Sequence, residues 1–146
     1  MQANLFAGAD ISASGMSAER RRMEVVANNI ANANSTETAE GGPYRRQELI
    51  FAAALEVNGT ADSVNGMRGV EVIGQRSDLS ELPQIHSPGH PHSDPDTGML
   101  SLPNVKMSNE MVDLIVASRS YEANLKALSS FKQMVEQTLR LLRGGA

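Results

Sequence analysis

Hydrophobic and polar positions divide this 146-residue chain into two periodic ends and an irregular middle. From Asn109 to Arg143 there is neither glycine nor proline. Along this stretch a stripe recurs at alternating three- and four-residue steps: Met111, Leu114, Ser118, Tyr121, Leu125, Leu128, Lys132, Val135, Leu139 and Leu142. Ser118 and Lys132 interrupt it, and Phe131 and Met134 flank the second break with apolar bulk. The pattern predicts one long helix whose seam needs a partner. At 1.5 Å per residue such a helix is about 50 Å long, more than the width of a compact domain of this size. Much of the seam is therefore expected to pack against something other than a local core. Ser108 or Asn109 is the expected N-cap, and Arg140 and Arg143 precede Gly144-Gly145 where a helix carboxyl end favours cations and glycine.

The amino-terminal segment, from about Leu5 to Ala33, carries Met16, Met23 and Ile30 at seven-residue steps with Val26 between, opposite a polar face of Glu19, Arg20, Arg21 and Glu24. It reads as a second helix, weakened in its first turns by Gly8 and Gly15 at about 1 kcal/mol each relative to Ala. Punctuation is confined to the middle: all six prolines lie between Pro43 and Pro103, and eight of the twelve glycines lie between Gly41 and Gly98. Strands are expected at Tyr44 to Leu55 and Gly69 to Arg76, with a short pair at Gln84 to His86 and Met99 to Leu102. Asn58-Gly59 and Asn65-Gly66 are turn dipeptides between the first two.

Composition sharpens this picture. Aromatic residues make up 3% of the chain and there is no Trp, so large core-filling side chains are scarce; eight Met with Ala, Val, Leu and Ile suit helix-on-helix seams better. A net charge of -4 gives no electrostatic reason to expect a nucleic-acid partner. The clusters Arg20-Arg21-Arg22 and Arg45-Arg46 read as solvated or interface cations, the first being bracketed by Glu19 and Glu24. Without Cys there are no disulfides, thiolate zinc sites or cysteine nucleophiles. No apolar run reaches the 18 or so residues of a membrane span, and the first ten residues lack the basic and apolar regions of a secretion signal.

The candidate chemistry is thin. His86, His90 and His92 with Asp94 and Asp96 are the right ligand types for zinc or a similar ion, packed into eleven residues. Pro88, Pro91 and Pro95 stiffen that loop, and no helix or strand puts its imidazoles on one side, so a solvated, proline-ordered loop is expected and a metal-binding module is the alternative. A calcium loop starting at Asp94 fails, with Gly98 at position 5 and Val105 at position 12. No nucleophile elbow or glycine-rich phosphate fingerprint is present. No enzyme and no cofactor are expected.

One stretch is specific. Val26-Ala27-Asn28-Asn29-Ile30-Ala31-Asn32 resembles the signature that closes the first helix of bacterial flagellar rod, hook and related axial proteins. In bare physical terms its asparagines are costly within a helix and suit a helix end, where amides bond freed backbone groups. Further matches follow in order: Pro43-Tyr44-Arg45, Pro88-Gly89-His90-Pro91, Asp94, Gly98, Leu102-Pro103-Asn104-Val105, Glu110-Met111, and Ser118-Arg119-Ser120-Tyr121-Glu122-Ala123-Asn124. This order is similar to the C-type rod proteins of the flagellar basal body and covers nearly the whole chain; rod protein B and the longer distal rod proteins are the nearest rivals. Two departures, a longer Asp94 to Gly98 spacing and Ser93-Asp94-Pro95 in place of Ala-Asp-Ala, fall in a loop.

The resemblance implies an α+β fold in which long terminal helices pair as an antiparallel coiled coil around a small β-rich middle domain, with divisions at 1–34, 35–107 and 108–146. It implies a structural subunit of the proximal rod, assembling helically with itself and other rod subunits, transmitting torque and lining the export channel. The implied location is the basal body across the periplasm, reached through the flagellar export apparatus without a cleaved signal peptide. The expected assembly surface is Met16, Met23, Val26 and Ile30 on the first helix, with Met111, Leu114, Tyr121, Leu125, Leu128, Val135, Leu139 and Leu142 on the last. Glu122 with Lys126 and Glu136 with Arg140 are expected to support the helix or to serve neighbours.

Overall fold

The computed structural model describes residues 7–55 and 67–144. In chain order these form α1 (Ala7–Ala31), β1 (Gln47–Leu55), β2 (Met67–Ser77), β3 (Gln84–His86), β4 (Met99–Ser101) and α2 (Met107–Arg143). The fold is α+β: two helices and two two-stranded sheets, β1 with β2 and β3 with β4. The Asn58-Gly59 and Asn65-Gly66 turns lie outside the described residues.

At 37 residues α2 is about 55 Å long. It begins at Met107, earlier than Ser108 or Asn109, because Lys106 O already accepts the amides of Asn109 and Glu110 at 2.9 and 3.1 Å. The backbone here takes precedence over the better capping side chains. At the other end Gly144 N donates to Arg140 O at 2.9 Å. α1 closes through Asn32, whose amide nitrogen donates to Asn28 O at 2.9 Å while Ser35 Oγ donates to its Oδ1 at 3.1 Å.

β1 starts at Gln47, three residues later than Tyr44, because Tyr44, Arg45 and Arg46 use their polar groups on other elements. β3 and β4 pair antiparallel with Gln84 opposite Ser101, Ile85 opposite Leu100 and His86 opposite Met99. Leu102 N to Pro83 O at 2.8 Å and Ser87 N to Gly98 O at 2.9 Å extend the ladder at its two ends. Gly98 has φ +65°, and a Cβ there would come within 2.9 Å of His86 Cε1, so glycine is required on both counts.

The chain divides into two compact units. One comprises Arg22–Ile50 and Gly74–Ile115: the end of α1, the start of α2, the β3–β4 hairpin and the adjoining halves of β1 and β2. Its interior holds Val25, Val26 and Leu100 with two polar side chains, Asn29 and Glu110, that are both 0% exposed. The other unit contains α1 up to Arg21, the strands from Phe51 and up to Ile73, and α2 from Val116 onward. Its buried side chains are small, Ala18 and Ala117. Gly15 is one reason: a Cβ at that position would lie 2.8 Å from Asn124 Nδ2, so its glycine allows close helix contact rather than merely weakening α1. Gly69, at φ +113°, lies against Ser14 in the same way, and Val70 N donates to Ser14 Oγ at 3.1 Å.

Candidate functional site: a buried polar centre

Asn29 is on the last turns of α1, and its amide is saturated. Nδ2 donates to Gln47 O and to Glu110 Oε2, each at 3.0 Å, while Oδ1 accepts from Gln47 N and from the Tyr44 hydroxyl, each at 2.9 Å. An Asn side chain has two donors and two acceptor positions, and all four are used. One residue thus ties α1 to the first residue of β1 and to the first turn of α2.

Glu110, fully buried, carries the charge of this centre. Oε2 accepts from Asn29, and Oε1 accepts from Arg46 Nε at 2.6 Å. Such a charge is tolerable in an interior only when paired and hydrogen-bonded. Burial opposes the Arg46 charge, but the hydrogen bond and charge of Glu110, with Glu48 and Asp113 adding, outweigh it and hold the guanidinium above its ordinary pKa. Burial first, then the charge of Glu110, pushes the Tyr44 phenol up as well. Outward from this pair the network reaches the surface: Arg46 contacts Glu48 at 2.5 Å and Asp113 at 3.4 Å, Asp113 contacts Arg22 at 3.3 Å, and Glu48 contacts Arg76 at 3.0 Å.

A second layer braces Arg46 from the loop before α2. Asn104 Oδ1 accepts from Arg46 N at 2.8 Å, and its Nδ2 donates to Asp78 O at 3.1 Å and Ser80 Oγ at 2.9 Å. Asp78 N in turn donates to Arg46 O at 2.7 Å. Asp78 is held below the usual carboxylate range, chiefly by the Ser80 backbone amide. These groups line a polar cleft of about 350 Å³ with Lys106, Asn109 and Asp113. Arg46, Asp78, Ser80, Asn104, Glu110 and Asp113 are bonded to one another or to Asn29 and Arg22, an arrangement suited to holding elements in place.

The residues that meet here come from separate motifs: Asn29 from the Asn-rich close of α1, Tyr44 from Pro43-Tyr44-Arg45, Asn104 from Leu102 to Val105, and Glu110 from Glu110-Met111. Comparison with known proteins points the same way. A family described as flagella basal body rod protein matches residues 10–39, and one described as flagellar basal body rod FlgEFG protein C-terminal matches residues 96–141. The flagellar basal-body rod protein FlgC of Borreliella burgdorferi is 38% identical over 151 residues, covering 96% of this chain and 99% of its own. Those of Aquifex aeolicus and Salmonella typhimurium are 40% and 35% identical, over 92% and 94% of this chain and 95% and 96% of theirs. The chain belongs to the FlgC family.

In this FlgC-family chain the packed stripe of α2 differs from the one drawn by hydrophobicity. Its less exposed positions include Glu110, Leu114, Ala117, Tyr121, Asn124, Leu128, Phe131 and Val135, at alternating four- and three-residue steps, with Asp113, Ser118 and Ser120 half-buried beside them. Every second position is shared with the expected stripe. The others lie one residue earlier, Ala117 beside Ser118 and Phe131 beside Lys132. Met111, Leu125, Leu139 and Leu142 stand outside, 50%, 49%, 53% and 75% exposed. On α1, Val26 is buried while Met16, Met23 and Ile30 are half-buried. Neither Glu122 with Lys126 nor Glu136 with Arg140 forms an ion pair among the described residues, their side chains being exposed on α2.

The histidine loop does not converge either. His90 and His92 stack edge to face at 5.3 Å, His92 Nδ1 lies 3.0 Å from Thr36 Oγ1, and His86 is on β3 against Gly98. Asp94 accepts the Asp96 amide at 2.9 Å, which with Thr97 holds it below the usual carboxylate range. Among the described residues no three His, Asp or Glu side chains are grouped closely enough for a metal ion. The buried centre itself escaped the sequence reading, which assigned Asn29 to its own helix end; the available signal was a polar residue, Asn29, one step from apolar Ile30 at the heptad position shared with Gly15 and Arg22.

Proposed function

We propose that this chain is a structural, non-catalytic subunit of the proximal rod of the bacterial flagellar basal body. The observation that carries the reading is near-full-length similarity to relatives named flagellar basal-body rod protein FlgC. The structure supplies a physical counterpart: an apolar row along α2 that the chain itself leaves half open. Met111, Leu125, Leu139 and Leu142 are the surface on which neighbouring subunits pack. Burying each such side chain is worth about 1.5 to 3 kcal/mol, so repeated contact along a helical array stabilises a tube far more than it does one subunit.

In this reading the terminal segments, 1–34 and 108–146, pair as an antiparallel coiled coil and the middle segment, 35–107, forms the outer domain. The contacts of Arg22 with Asp113 and of Asn29 with Glu110, running in opposite chain directions, support that pairing. Partners are further copies of the chain, other rod subunits and the flagellar export apparatus, not nucleic acid. The location is the basal body across the periplasm, and no described helix is long and apolar enough to cross a membrane. The test is complementation: the chain is to restore swimming to a bacterium lacking its own proximal rod protein C, and Leu125→Asp with Leu139→Asp is to abolish that rescue while leaving the free chain folded. Full swimming in the double variant removes the assigned surface.

A further inference from the structure

Helix α2 offers α1 two faces of comparable apolar character. One is the less exposed face, with Leu114, Tyr121, Leu128 and Val135; the other carries Met111, Val112 and Ile115, each at least half exposed. Hydrophobic burial is non-directional and does not choose between them. At the Arg22–Ile50 and Gly74–Ile115 unit, the less exposed face differs in one respect: it holds Glu110, fully buried, against the fully buried Asn29.

We propose that the Asn29–Glu110 pair is a selector that fixes which face of α2 meets α1 and in which register. Rotating α2 by one residue puts Met111 where Glu110 was and leaves the Asn29 Nδ2 without its acceptor. Sliding by a heptad, the next alignment that keeps the apolar positions inward, sets Ala117 opposite Asn29 or carries Asn29 past the start of α2 at Met107. Each alternative strands a buried amide or a buried carboxylate, whereas the observed alignment satisfies both. Single buried polar residues set register and partner number in coiled coils by the same logic. Arg46 completes the device from the position just before β1: by holding Glu110 Oε1 it leaves Oε2 as the acceptor aimed at Asn29. The rod reading supplies the purpose, since in an array of copies the outer face must stay free for neighbours, but the selector itself acts within one chain.

The test uses the full chain, which has no native cysteine, with spin labels at Ala31→Cys and Ser108→Cys, both exposed. The parent is expected to give one narrow label-to-label distance. Asn29→Leu with Glu110→Leu is expected to keep its helical circular dichroism but to broaden or split that distance, a heptad slip moving the labels by about 10 Å. A folded double variant with the single narrow distance unchanged overturns the proposal. Should that variant not fold, Glu110→Gln, which keeps an oxygen acceptor for Asn29 Nδ2, is compared with Glu110→Leu, which removes it. A narrow distance in the first with a broadened or split one in the second supports the selector; a narrow distance in the second, or a broadened one in the first, overturns it. Because the distances are read on the free chain, their outcome is independent of the swimming test on which the rod reading depends.

Discussion

The buried centre at Asn29 and Glu110 and the open row along the carboxyl half of α2 invert the usual rule for side chains. The centre is fully buried and polar; the row at Leu125, Leu139 and Leu142 is apolar and about half or more exposed. Directional groups serve where one arrangement must be chosen, because a hydrogen bond is lost by a small displacement while a hydrophobic contact tolerates it. Apolar groups suit a surface on which, in the proposed rod, many copies add a similar contact. The difference separates internal specificity from external adhesion, and substitutions in the two regions are expected to fail in different assays.

The largest stability effect is expected from Glu110→Ala. It leaves Arg46 and the Asn29 amide without their buried acceptor and is expected to cost about 3 to 5 kcal/mol in chemical denaturation. Next comes Gly69→Val, which forces a side chain into φ +113° and against Ser14, for a loss of about 2 kcal/mol and a lowered melting temperature. Tyr44→Phe removes one hydrogen bond to Asn29 Oδ1 and is expected to cost about 1 kcal/mol. At the far end of the scale, Leu139→Asp is expected to change the stability of the free chain by less than about 0.5 kcal/mol, yet to abolish motility rescue. If Leu139→Asp unfolds the chain or Glu110→Ala leaves its denaturation midpoint unmoved, the contrast between the regions collapses.

The pH profile sharpens the same contrast. Asp78 and Asp94 have folded-state pKa values below their unfolded ones, so their contribution is present above about pH 4 and is lost as pH falls through the folded values. Tyr44 has a raised value, so its contribution is present below about pH 10 and is lost as pH rises further. Tyr44→Phe is accordingly expected to flatten the alkaline limb of a stability-against-pH curve and to leave the acid limb in place, which denaturation midpoints measured across that range will show.

Much of the fold was legible from local chemistry. The absence of glycine and proline after Asn109 marked α2, and Gln84 to His86 matched β3 residue for residue because prolines and a turn frame it. Boundaries moved where polar side chains had distant partners: Tyr44 to Arg46 left the β1 pattern to serve Asn29, Asn104 and Glu110. The inward-facing polar residues of α2 were not legible for a related cause. Summed hydrophobicity favours Met111 and Leu125, and nothing in that sum gives Glu110 or Asn124 a reason to face inward.

The sequence by itself determined two helices, a punctuated middle and a motif order that places the chain among flagellar rod proteins, since periodicity, turn chemistry and motifs are local properties of the chain. Only the tertiary structure decided that Asn29, Tyr44, Arg46, Asn104 and Glu110 form one centre. It also decided that an apolar row of α2 stays outside, because the cost of burying an amide or a carboxylate depends on partners up to 81 residues away that become neighbours only on folding.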